Sequence, residues 1–89
     1  MPAYLVTYDL SKEAVRPKIV DAIRAYGTWA KLSESSYAVA TEQTPKAVFD
    51  ALSPMLDSND QLYVINLRAP YAGYGPQEVN KWLEDILLW

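Results

Sequence analysis

At 89 residues the chain has the length of one domain, and 51% hydrophobic residues suffice for a core of its own. It contains neither cysteine nor histidine, which excludes a disulfide framework, a thiolate or imidazole zinc site and any Ser-His or Cys-His catalytic pair. A net charge of −3 argues against a general polyanion binder, and any bound metal would be a hard ion on oxygen ligands, such as Mg²⁺ or Mn²⁺.

In chain order, "YLVTYDLS" (Tyr4 to Ser11) opens the structured part. Residues 3–9 read as a strand, with Leu5, Thr7 and Asp9 on one side and Tyr4, Val6 and Tyr8 on the other. Both sides are apolar enough for a central strand covered on both faces. After a loop, Pro17 suits the first turn of a helix, and Ile19, Val20, Ile23 and Tyr26 form its apolar stripe over about 16–26. Gly27 is placed to end it. Residues 28–33 and 36–41 read as two strands about a turn at Glu34 and Ser35. Thr44 followed by Pro45 is an N-cap and first-turn pair, Val48, Phe49 and Leu52 are the apolar face of a second helix, and Pro54 ends or kinks it.

"DSND" (Asp57 to Asp60) is a turn by composition, and it lacks the spacing of a calcium loop. "QLYVINL" (61–67) is a strand, and "RAPYAGYGP" is an aromatic loop. Pro76 then starts a helix whose stripe is Val79, Trp82, Leu83, Ile86 and Leu87. The order is β-α-β-β-α-β with an additional C-terminal helix, the α+β, ferredoxin-like pattern, in one domain over 1–89 with 68–89 as an extension. Helices on one sheet face leave the other to be covered by the extension or by a second copy, and a homodimer is expected. Trp82, Trp89 and the 79–87 stripe are expected in the core or at that contact. No basic leader or membrane-length apolar run is present, and a soluble, cytoplasmic protein with no membrane partner is expected.

With these elements placed, "YLVTYDLS…AIRAYG" followed by "SYAVATE" resembles the small ferredoxin-like CRISPR-associated adaptation proteins, the Cas-two family. "YDL…GTW…DSNDQLYVINL" with its aromatic Gly loop resembles the SinR-like branch more nearly, in a superfamily that also holds the VapD-type ribonuclease toxins. The resemblance implies a homodimer associated with nucleic acid. It implies that Asp9, ending the first strand, meets its copy across the dimer axis and holds a divalent metal, and that Arg16 and Lys18 face a nucleic-acid backbone. The chain departs from the family in its Arg16-Pro17 pair, in "YAVATE" (Tyr37 to Glu42) and in a helix where a swapped strand is usual.

The residues leave two roles open for Asp9. Paired across a two-fold axis it is a catalytic carboxylate and ligand for Mg²⁺ or Mn²⁺ in phosphodiester hydrolysis. Alone, it caps the following loop as an Asx-type turn. Positive charge gathers early in the chain, with Lys12, Arg16 and Lys18 as the nucleic-acid-binding residues, the alternative being a solvated helix face. Tyr71 and Tyr74 belong to a ligand or interface loop, or pack that loop down. The reading is a small dimeric, non-catalytic scaffold or interaction module associated with nucleic acid, with no cofactor assigned. The alternatives are a metal-dependent nuclease using Asp9 of both subunits and a regulatory adaptor dimer that binds a protein or small ligand.

Overall fold

The computed structural model describes residues 1–87, so Trp89 lies outside the described residues. The elements are β1 (Ala3–Asp9), α1 (Arg16–Arg24), β2 (Trp29–Ser33), β3 (Ser36–Ala40), α2 (Pro45–Leu52), β4 (Gln61–Leu67) and α3 (Gln77–Ile86). Short 3-10 turns at Glu13–Val15 and Ser53–Met55 precede α1 and follow α2. The strands form one antiparallel sheet in the order β2-β3-β1-β4. This is a small α+β domain, compatible with the ferredoxin-like class.

Local chemistry explains the element ends. The Thr44 hydroxyl accepts from the Ala47 N–H at 3.1 Å, satisfying one of the free donors of α2. Pro54 cannot continue that helix, which closes in the 3-10 turn. Helix α1 ends two residues before the expected Tyr26, because Tyr26 and Gly27 donate to Ile23 and Arg24 in tighter i→i−3 bonds. Gly27 follows at φ 87°, where a side chain would be strained.

Tyr4, Val6 and Tyr8 of β1 face the helices together with Tyr37, Val39 and Leu62, against Ile19, Ile23, Val48 and Leu52. The last four are fully buried, each contributing about 1.5–3 kcal/mol of hydrophobic stabilisation. Three tyrosines fit this layer because their hydroxyls find partners. Tyr4 donates to the Gln43 carbonyl (2.6 Å), Tyr8 donates to the Glu34 carbonyl (3.2 Å), and Tyr37 accepts from Arg24 (3.1 Å).

The opposite face is floored partly by alanine. Ala30 pairs with Ala38, and Ala3 with Ala40, and all four are buried. Val79 and Trp82 of α3 stand beside Ala30, and Ile86 and Leu87 stand beside Ala3. Small side chains let this helix approach the strands closely. The other half of the same face is uncovered: Tyr63 is 61% exposed and Ile65 50% exposed. Replacing Ala30 with Leu is expected to cost about 1–3 kcal/mol by overpacking beneath α3. Thr44→Ala is expected to cost about 1 kcal/mol. Urea denaturation of both variants measures these losses.

Candidate functional site

The residues singled out by the sequence fall on different sides of the sheet. Asp9 closes β1 opposite Gln61, on the face away from α1 and α2, and is exposed. Its carboxylate accepts no hydrogen bond among the described residues, so the expected Asx-type capping of the next loop is not its role. Asp60 performs that role from 49 positions away. Its Oδ1 accepts from the Ser11 N–H (2.7 Å) and the Ser11 hydroxyl (2.8 Å), and its Oδ2 accepts from the Asp57 N–H (2.8 Å). These bonds, the Ser11 backbone first, hold the Asp60 carboxyl below the usual aspartate range.

The expected nucleic-acid residues are largely engaged within the chain. Lys12 pairs with Asp57 at 3.0 Å, and that hydrogen bond raises the ammonium pKa and lowers the carboxyl pKa. Arg16 binds Glu13 with both arms of its fork, Nε to Oε2 at 2.9 Å and Nη2 to Oε1 at 3.1 Å. The same guanidinium donates to the Glu34 carbonyl and stands 5.7 Å from the Tyr8 ring centre. It therefore ties the loop before α1 to the β2–β3 turn. Lys18 is exposed on α1.

Arg24 was not singled out by sequence, yet its guanidinium lies 4.7 Å from the Trp29 ring centre and 5.8 Å from that of Tyr37. These two rings are themselves 5.8 Å apart, tilted at 56°. The stack joins the last turn of α1 to β2 and β3.

The aromatic loop lies beside α3. Tyr71 and Tyr74 line a groove of about 250 Å³ with Leu32, Leu67, Val79 and Leu83, and Asn80 ties the loop down by donating to the Gly75 carbonyl at 3.3 Å. Tyr74 is fully exposed, so its ring does not pack the loop against the core. The groove is apolar and open.

Among the described residues no group of three or more Asp or Glu side chains is arranged to hold a metal ion. Within one chain Asp9 thus lacks the partners that hydrolytic metal chemistry needs. No helix among the described residues is long and apolar enough to cross a membrane.

No family model matches the chain, and no curated protein matches it. Among solved structures, the crystal structure of a hypothetical protein from Thermus thermophilus is similar, with a TM-score of 0.66 and 20% identity. The match covers 84% of this chain and 94% of that one. The likeness is one of fold.

The loop staple has a pH signature. Asp60 is held below its unfolded pKa, so its contribution is complete above about pH 4 and is lost as the pH falls through the lower folded value. Asp60→Asn is expected to be less stable at pH 7 and to lose less stability than wild type on acidification. Thermal unfolding from pH 7 to pH 2 checks this.

Proposed function

We propose that the chain is a non-catalytic interaction module working as a homodimer, a small relative of the Cas-two and SinR-like proteins associated with nucleic acid. The observation that carries the reading is the uncovered half of the sheet. Helix α3 leaves the aromatic Tyr63 and the branched Ile65 in water on neighbouring outward positions of one strand. Paired apolar side chains on a flat strand are a surface for a partner. Placement of the protein in that superfamily rests on the sequence resemblance and on a fold compatible with it.

Association with nucleic acid rests on the same resemblance and on α1, where Lys18 is exposed. The engagement of Lys12 and Arg16 with carboxylates removes two of the cations that a phosphate backbone would meet. Contact with nucleic acid is therefore weak in one subunit and rests on two copies acting together.

One observation favours the nuclease alternative. The Asp9 carboxylate is exposed and accepts no hydrogen bond among the described residues, so it is available to a metal if a second copy brings its own Asp9 close. The two readings separate cleanly in assay. Wild type is expected to run as a dimer of the 10.0 kDa chain in light scattering. Tyr63→Lys and Ile65→Lys are expected to shift it towards monomer with unchanged circular dichroism. No cleavage of single-stranded RNA or duplex DNA is expected with Mg²⁺ or Mn²⁺, for wild type or Asp9→Ala. Metal-dependent cleavage lost in Asp9→Ala would replace the scaffold reading with the nuclease.

A further inference from the structure

The two edges of the sheet are built differently. Strand β2 is five residues long, carries Lys31 and has a register shift between Lys31 and Ser33. Helix α3 packs beside it. A short, bulged, charged and partly covered strand resists addition of another strand. Strand β4 has α2 packed against one face, but it is neither short, bulged nor charged. It is seven residues long, runs in unbroken register with β1 from Gln61 to Leu67, and carries no charge and no proline.

The hydrogen-bond pattern shows which groups of β4 turn outward. The Tyr8 N–H donates to the Ser35 carbonyl, and the Pro2 carbonyl accepts from Thr41, so the even positions of β1 turn their backbone towards β3. The odd positions, Leu5 and Thr7 among them, turn to β4 and bond Ile65 and Tyr63. The backbone groups of Leu62, Val64 and Asn66 therefore point away from the sheet. Among the described residues none of them has a hydrogen-bond partner.

We infer that β4 is the homodimer edge, adding antiparallel to β4 of a second copy with the two-fold axis at Val64. This rests on the dimer reading above and specifies its surface. The strand is complementary to itself in that register. Val64 faces the partner's Val64, and Leu62 faces the partner's Asn66, each pair exchanging both N–H···O bonds. Tyr63 then meets the partner's Ile65, and Ile65 meets the partner's Tyr63, in the closer, non-hydrogen-bonded positions where aromatic and branched side chains pack best. No like charges oppose one another. The pairing joins two four-stranded sheets into one and sets the exposed Tyr63 and Ile65 against their counterparts on the partner.

This arrangement places the two Asp9 residues far apart. Asp9 is opposite Gln61, three residues from the axis, so the two copies of Gln61 are about 20 Å apart at about 3.4 Å per residue. No shared metal spans that distance. The edge dimer and the paired-aspartate nuclease are thus alternatives.

Because the chain has no cysteine, a single introduced cysteine forms only intermolecular disulfides. At the axis, Cα atoms of a hydrogen-bonded pair are about 5.5 Å apart, within disulfide reach. Val64→Cys is expected to oxidise to a linked dimer in mild oxidant, while Asp9→Cys stays unlinked. Val64→Pro removes an outward N–H together with a side chain packed against the core, and is expected to give a folded monomer by circular dichroism and light scattering. A dimeric wild type that links through Asp9→Cys, or that stays dimeric as folded Val64→Pro, would overturn the edge while keeping the dimer. A wild type that remains monomeric at high concentration would overturn both.

Discussion

A sheet has two faces, and in this chain helices α1 and α2 cover only one of them. The other must be covered, or it becomes a place where something binds. Much of the molecule follows from how that face is divided. One half is floored by alanines, and α3 rests on it through Val79 and the partly buried Trp82. The other half carries the exposed Tyr63 and Ile65, with nothing laid over them among the described residues. The division is written along the strands. β2 and β3 place small side chains at the covered positions, and β4 places large ones at the uncovered positions. An apolar strand with free backbone groups is the consequence.

The charged side chains serve the fold more than a ligand. Arg16 bridges Glu13, the Glu34 carbonyl and the Tyr8 ring, and Arg24 caps the Trp29–Tyr37 pair. Lys12 and Asp57 close the loop that Asp60 staples through Ser11. These contacts hold the two connections at one end of the sheet, after β1 and before β4. They explain why a chain with several early cations presents little free positive surface there. The remaining exposed cations lie on separate elements, which suits weak, shared contact with a phosphate backbone more than a dedicated site.

The strands and helices were legible because their signals are local. Strand-forming residues in "YLVTYD" and "QLYVINL", the Thr44-Pro45 start and the Pro54 stop each act within a few residues. The boundaries of β4 and of the β2–β3 hairpin agree closely for that reason. The site was less legible because its contacts are distant in sequence. Asp9 and Asp60 both stand beside strand ends, and composition does not say which one reaches Ser11. The answer depends on β1 and β4 pairing so that Asp9 sits opposite Gln61. Arg24 was not singled out because Trp29 and Tyr37 reach it only after the hairpin folds back beside α1. The contrast between the two edges was hidden for the same reason: strand order decides which strand is an edge. Of the signals for that surface, only the composition and length of "QLYVINL" were visible beforehand.

If the uncovered strand is the working surface, its backbone must change environment when the protein assembles. Amide hydrogen exchange by NMR reads this directly, residue by residue, over a dilution series. The account predicts that the Val64 and Asn66 amides exchange rapidly in dilute protein and become protected as concentration rises, while Val6, in the centre of the sheet, is protected throughout. Val64 and Asn66 amides that exchange equally fast at every concentration, in a sample that light scattering shows to be dimeric, would contradict it.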